Sequence, residues 1–385
     1  MRRAVLVAGV TGAAAAGASV VGTLGAATYF ARRVITPDRR RPDDTEIRAV
    51  DGGTLTLNAT DDTVIPGSYG LWLDGGDGHA RLGDLVDLDE NAGTVRRELL
   101  GVDRGRLTAG YGRWNPYFYG DRPDRSLGLP TSDVIVGSDV GDLPAWLVPA
   151  AAGTVPGGRW AVLVHGRGAR REECLRAVPV LHDLGRTCLI PMYRNDIGAP
   201  PSPDGRYNLG LSEWRDVEAA ILYAVRHGAD AVDLVGWSMG GAIVLQTLDR
   251  SWLAERVAHV VLDAPVIDWT DVLRHHAGLN AVPGLVGAVS RNLIGRRSAR
   301  RVVGVHQPLD VAETDWVRRA GELRHPILLV HSVDDEFVPA GPSAELARRR
   351  PDLVRYEPWT VARHTQEWNV DPERWNAVIR DFLPA

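Results

Sequence analysis

Lysine is absent from the 385-residue chain, so every one of its 44 basic side chains is arginine. That excludes Schiff-base chemistry and a serine–lysine dyad, both of which need an amine nucleophile or base. Cysteine is almost absent, with Cys174 and Cys188 alone. Two thiols on either side of one expected helix read as buried small residues, not as a disulfide framework or a metal site. An excess of positive charge is lacking too. The 44 basic residues are outnumbered by 49 acidic ones, for a formal net charge of −5, so no basic field recruits nucleic acid. The arginine runs Arg296-Arg297, Arg300-Arg301 and Arg348 to Arg350 read as solvated faces. No cluster has metal-ligand spacing: His275-His276 lacks a nearby third ligand and reads as polar surface. No metal and no cofactor is expected. What remains is ordinary globular composition, 44% hydrophobic and 24% charged, over a length that suggests two domains or one large one.

Ala4 to Phe30 is uncharged and apolar, long enough to span a bilayer with some tilt. Arg2-Arg3 precede it and Arg32-Arg33 follow. A cleaved signal peptide has a shorter apolar region ending at a small-residue site, and here the small-residue triplets lie inside the run. The expectation is an uncleaved membrane anchor, with a cleaved signal peptide and secretion as the alternative. The arginines after the run outnumber those before it, which by the positive-inside rule slightly favours a cytoplasmic body.

Three regions are expected: an anchor and linker over 1–44, a β-rich module over 45–130, and a strand–helix region over 131–385. In the second, Leu55 and Leu57 alternate with polar residues, and Pro66-Gly67 and Asp74-Gly75-Gly76 punctuate. Trp114, Tyr117, Phe118 and Tyr119 read as core of that module. Beyond Thr131, short apolar runs alternate with helical stretches. Val134–Val136, Ala145–Val148, Val162–Val164, Cys188–Pro191, Val232–Val235, Val260–Leu262, Ile327–Val330 and Val354–Glu357 read as strands. Ser212 reads as the cap of a helix running to Arg226. The alternation implies a mostly parallel sheet covered on both faces, with ligands at the carboxyl ends of its strands.

One such end carries Gly236-Trp237-Ser238-Met239-Gly240. A G-x-S-x-G turn between a strand and a helix is sharp, and its glycines avoid clashes that side chains would make. The bend projects the serine hydroxyl above the sheet. The helix that follows presents free N–H groups and a partial positive charge, which suit a developing oxyanion.

With this elbow stand three further signatures: His165-Gly166-Arg167-Gly168 after an early strand; His331-Ser332-Val333-Asp334-Asp335-Glu336-Phe337-Val338-Pro339; and His364 beyond it. Together, over Thr131 to Ala385, they resemble the α/β-hydrolase family, with Ser332 where the family's acid loop usually has glycine. The resemblance implies the α/β-hydrolase fold, with a small cap at about 268–319, and a triad in the order Ser238, Asp335, His364. Asp334 and Asp263 are the other acid candidates; Asp263 reads instead as a cap of the turn into Pro265. The backbone N–H groups of Met239 and Arg167 would form the oxyanion hole, while the Arg167 side chain is expected to pair with Glu172 or Glu173. His165 reads as structural. The implied activity is hydrolysis of a carboxylic ester through an acyl-enzyme, on a small-molecule substrate. A serine peptidase is the alternative, and a non-catalytic binding protein on the same scaffold a more remote one.

Overall fold

A computed structural model describes residues 25–29, 31–37, 41–151, 158–281 and 284–384. Six strands close the first barrel: β1 (Thr45–Asp51), β2 (Thr54–Asn58), β3 (Tyr69–Leu73), β4 (Gly78–Asp89), β5 (Thr94–Arg104) and β6 (Gly110–Asn115), in the order β1-β2-β5-β4-β3-β6. Alternate residues point inward, so Leu55 and Leu57 of β2 join Ile47, Leu71, Leu73, Leu82 and Val95 in a small core. One end of the barrel is plugged by a charge. Arg97 is buried, lies over the rings of Tyr69 and Trp114, and donates to the carbonyls of Thr63 and Ile65 at 2.9 and 2.7 Å and to those of Gly67 and Gly83. The carbonyls satisfy its donors without a carboxylate.

The second sheet has eight strands: β7 (Ser132–Ser138), β8 (Gly141–Val148), β9 (Arg159–Val164), β10 (Thr187–Pro191), β11 (Ala231–Trp237), β12 (Val257–Asp263), β13 (Ile327–Ser332) and β14 (Val354–Trp359). Their order is β14-β13-β12-β11-β9-β10-β8-β7. From β14 to β10 the pairings are parallel, while β8 runs antiparallel to both β10 and β7, so the sheet is mixed. The central strands are buried along most of their length because helices cover both faces. On one face Val162, Leu234, Val260 and Leu329 pack with residues of helices Trp214–Arg226 and Met239–Arg250. On the other, Ala161, Leu163, Val235, Val261 and Leu328 pack with Val178–Asp183 and Pro372–Phe382. Each of these valines and leucines contributes about 1.5–3 kcal/mol of transfer free energy. Cys174 and Cys188 are free and buried, on this second face.

The barrel docks on the helix layer next to β13. Ser68 N–H donates to the Asn369 carbonyl (2.9 Å), and Asn369 Nδ2 returns a bond to the Ser68 carbonyl (2.6 Å). Gly67 allows this approach: its φ is +106°, and a Cβ there would lie 2.1 Å from the Asn369 carbonyl oxygen. The aromatic cluster divides. Trp114 stays with the barrel core, Phe118 and Tyr119 pack against Trp368 at 5.7 and 6.0 Å, and Phe118 belongs to the second sheet's core. They form a seam, which corrects their reading as core of the β module alone.

The N-terminal expectation is corrected more deeply. Among the described residues no helix is long and apolar enough to cross a membrane. Residues 4–24 and Phe30 of the expected anchor lie outside the described residues. Residues 25–29 and 31–35 are helical, and Ala27, Ala31 and Ile35, spaced four apart on one face, are buried against protein. Ser290 Oγ donates to the Ala27 carbonyl (2.9 Å), Tyr207 N–H to that of Ile35 (2.8 Å) and Arg32 Nε to that of Val302 (2.9 Å). Here the small residues that read as a membrane span permit close packing on the body instead. The membrane anchor, the membrane as a partner and the membrane localisation give way to this contact.

Candidate active site

Ser238 directly follows β11, with φ +51° and ψ −119°, a conformation that side chains rarely adopt. Its neighbours hold it there. Ser238 N–H donates to the Asp263 carbonyl at the end of β12 (3.0 Å), and the Ser238 carbonyl accepts from Gly241 (3.0 Å) and Val266 (3.1 Å). The turn fits only without side chains: a Cβ on Gly240 would lie 2.1 Å from the Val164 carbonyl oxygen, and one on Gly236 2.8 Å from Gly240 backbone.

Ser238 Oγ is 2.8 Å from His364 Nε2, and His364 Nδ1 is 2.7 Å from Asp335 Oδ2. Asp335 follows β13, and its Oδ1 accepts the N–H groups of Phe337 and Val338, both at 2.8 Å. Burial alone would raise the Asp335 pKa. The His364 charge and hydrogen bonds from His331 and His364 outweigh it and hold the carboxyl well below the usual range. His364 shows the mirror image. Burial would lower its pKa, but the Asp335 charge and hydrogen bond raise it above the ordinary histidine value. The neighbouring carboxylates point elsewhere. Asp334 accepts from Val361 N–H (2.6 Å), and Asp263 Oδ2 from the Trp375 indole (2.8 Å).

The loop after β9 lies against Ser238, since a Cβ on Gly166 would come 3.2 Å from Ser238 Cβ. Gly166 N–H is taken by Glu173 Oε2 (2.6 Å). Met239 opens the helix Met239–Arg250, so its N–H has no preceding turn to bond. The Arg167 side chain does not pair with Glu172 or Glu173 as expected from sequence. It lies over Tyr207 and donates to the carbonyls of Val34 (2.9 Å), Arg33 (3.2 Å) and Thr36 (2.8 Å), capping the N-terminal helix. His165 is buried, bonded to Asp196 (2.9 Å), and stacked on Tyr193, in keeping with a structural role. His275 and His276 meet the carbonyls of Glu336 and Phe337 (2.8 and 2.9 Å), tying the acid loop to helix Trp269–Leu279.

Ser238 and His364 open into a cavity of about 950 Å³. Val266, Trp269, Val272 and Leu273 supply its apolar wall, from the segment between β12 and β13 that also contains helix Gly284–Gly295. Tyr29, Ala31 and Val34 of the N-terminal helix and Tyr117 of the barrel seam complete it.

Family comparison agrees with this architecture. Residues 161–338 match the model of a family described as alpha/beta hydrolase fold, and residues 46–115 that of a domain of unknown function, DUF8805. The chain has the α/β-hydrolase fold. Among solved structures, this chain is similar to the esterase Pf2001 of Pyrococcus furiosus, at 17% identity and TM-score 0.52 over 69% of this chain and 96% of that one. An esterase of Rhodococcus sp. ECU1013 aligns at 18% identity and TM-score 0.45, over 65% and 98% of the two chains. A puromycin-hydrolysing peptidase of Mycobacterium tuberculosis aligns at 17% identity and TM-score 0.48, over 87% of this chain and 46% of that one. No curated protein matches the sequence.

Around the site of this α/β-hydrolase stand groups to which the sequence gave no role. His331 is buried, with Nε2 3.1 Å from Asp335 Oδ2 and 3.0 Å from the Val338 carbonyl, and Nδ1 2.8 Å from Ser343 Oγ. Two acceptors at Nε2 assign the proton there, so His331 donates to the acid and accepts from Ser343. Glu367 Oε1 accepts from Ser332 N–H (2.9 Å); burial and the Asp263 charge push its carboxyl well above the usual value. Arg176 donates from Nη1 to the Thr365 carbonyl (2.5 Å) and to Asn369 Oδ1 (2.8 Å), bracing the turn after His364. His331 was visible as a motif letter. Glu367 and Arg176 carry no pattern, since folding alone brings them to the site.

Proposed function

We propose that this protein is a serine hydrolase that cleaves carboxylic esters, with Ser238 as nucleophile, His364 as general base and Asp335 as the acid that orients it. The observation that carries this reading is the continuous hydrogen-bonded chain from Ser238 Oγ through His364 to Asp335, at 2.8 and 2.7 Å, open to a large cavity. His364 Nε2 takes the Ser238 proton as Oγ attacks the ester carbonyl, and Asp335 stabilises the imidazolium that forms. The carbonyl oxygen becomes an anion facing the backbone N–H groups of Met239 and Arg167. His364 then passes its proton to the leaving alcohol. Water, deprotonated by the same histidine, releases the acid from the acyl-enzyme. The apolar wall formed by Val266, Trp269, Val272 and Leu273 suits an acyl chain of a small-molecule substrate.

A panel of nitrophenyl esters of rising chain length, run beside aminoacyl anilides, tests the proposal. Ester turnover together with labelling by a fluorophosphonate supports it. Turnover of the anilides alone would make the protein a peptidase. Neither turnover nor labelling would remove the catalytic reading.

A further inference from the structure

A second cavity, of about 260 Å³, lies in the cleft between the barrel and the hydrolase sheet. Its lining is rich in one charge: Arg41 precedes β1, Arg113 is on β6, and Arg170 and Arg171 follow the loop that lies against Ser238. Among the described residues none of these four forms an ion pair with a carboxylate. Arg113 Nη1 donates to the Arg41 carbonyl (2.8 Å), and Arg41 to that of Gly168 (3.3 Å). Arg170 lies 5.7 Å over the Trp72 ring and Arg171 4.0 Å over the Trp146 ring, and Arg171 Nη1 is buried with no hydrogen-bond partner. A guanidinium on an aromatic face keeps its N–H edge available.

Carboxylates also face the cluster: Glu172, Asp133 and Asp196 act on Arg171, and Asp43 on Arg113. Glu172 lines the cleft. Asp196 also lines it, but its Oδ2 is engaged by His165 and by Tyr193 N–H, both at 2.9 Å. Asp43 Oδ2 accepts from Gly75 N–H (2.8 Å), and its Oδ1 is buried with no hydrogen-bond partner. Burial pushes Arg113 below its ordinary value; Asp43 opposes the fall, and Arg170 and Arg41 add to it. Arg41 and Arg170 are exposed, but Arg113 and Arg171 are half-buried and pay desolvation, which a bound anion relieves.

The cleft adjoins the serine cavity: Arg41, Pro116, Tyr117 and Ala169 line both. We propose that the arginine cleft binds an anionic group, a carboxylate or phosphate, at the far end of the substrate's acyl half. The inference rests on the ester-hydrolysis reading. An anchor on the acyl half serves both half-reactions, because that half stays in place through the acyl-enzyme while the alcohol departs.

The test compares two nitrophenyl esters of equal acyl length, one ending in a carboxylate and one in a methyl group, with wild-type protein, Arg170→Gln and Arg113→Gln. Wild type is expected to favour the anionic ester by about tenfold or more in kcat/KM at low salt, the scale of a charge-assisted hydrogen bond. The preference should lie mostly in KM and shrink with salt. Each variant should lose most of the preference, and Arg170→Lys should retain part of it. Inorganic phosphate should compete with the anionic ester more strongly than acetate does if the natural group is a phosphate, and no better if it is a carboxylate. Equal kcat/KM for the two esters in wild type overturns the proposal, as does a variant that slows both by the same factor. If neither ester turns over and no fluorophosphonate reacts, the ester-hydrolysis reading has failed instead. The cleft is then read by calorimetric titration with inorganic phosphate: saturable heat that is lost in Arg170→Gln supports an anion site, and its absence ends the claim.

Discussion

At His364 two effects oppose each other. Burial disfavours the imidazolium, while the Asp335 carboxylate 2.7 Å from Nδ1 favours it, and the carboxylate prevails. Only the neutral ring can accept the Ser238 proton, so activity should rise with pH as His364 deprotonates. The raised pKa places that limb above the ordinary value of about 6.5. Asp335→Asn removes the raising charge, so the limb of kcat/KM should move to lower pH while kcat falls by about 10⁴. A limb that stays in place would detach Asp335 from His364. Asp334→Asn and Asp263→Asn should not move the limb as Asp335→Asn does, because their carboxylates meet Val361 and Trp375. Ser238→Ala should cost on the order of 10⁶ in kcat, the scale of other serine triads; near-normal turnover would end its role as nucleophile. These residues were legible in sequence because each sits in a short local pattern: an elbow with obligatory glycines, an acid loop after a strand, a histidine beyond it. The Arg167 side chain was not, because its partners are carbonyls from a segment more than a hundred residues away in sequence, and carbonyls have no sequence signature.

The strands of the second sheet were legible from their apolar runs, since burial on both faces leaves nothing polar to obscure the period. Helix starts were less so. Ser212 does not cap the helix to Arg226, which begins at Trp214; Glu213 beside it turns its carboxylate to the N–H groups of Asn208 and Gly210 at 2.6 and 3.0 Å. Alternation in β2 gave the barrel's inward face. Its seam with the hydrolase stayed hidden, because Phe118 and Tyr119 look the same in sequence whether they pack within a module or between two. The seam predicts a remote effect. Gly67 meets Asn369 only because it has no Cβ, and Asn369 is held by Arg176, which also holds the Thr365 carbonyl next to His364. Gly67→Ala should therefore destabilise the protein by about 1–3 kcal/mol, from strain at positive φ and loss of the contact. It should also lower kcat on a small ester, although residue 67 touches neither serine nor substrate. A drop in melting temperature with kcat intact would show that the barrel supports the fold without setting His364.

On the scale of the whole molecule, the loops that carry the triad and the loop after β9 form one side of the serine cavity, and three separated stretches of chain wall the rest: the N-terminal helix, the barrel seam and the helices between β12 and β13. From sequence alone the first of these reads as an apolar run of small residues with no chemistry, because a helix that packs on protein and one that packs on lipid need the same apolar face. The difference lies in its partners. Arg167, half-buried, donates to carbonyls of Arg33, Val34 and Thr36, and Ser290 to that of Ala27 as well as to Val286, so losing the helix would break these bonds while Ser290 keeps the Val286 carbonyl. Each lost bond costs about 0.5–1.5 kcal/mol, and the burial of Ala27, Ala31 and Ile35 is lost with them. It would also remove Tyr29, Ala31 and Val34 from the cavity wall, and Arg41 from the arginine cleft. A chain beginning at Thr45 keeps Ser238, Asp335 and His364, yet it should melt at a lower temperature than one beginning at Gly25. Its kcat/KM should fall most for long acyl esters, whose chains lose the wall, and least for acetate esters, which do not reach it. Equal melting temperatures and an unchanged chain-length profile would mean that the helix is an appendage, and that the wall it forms does not take part in binding.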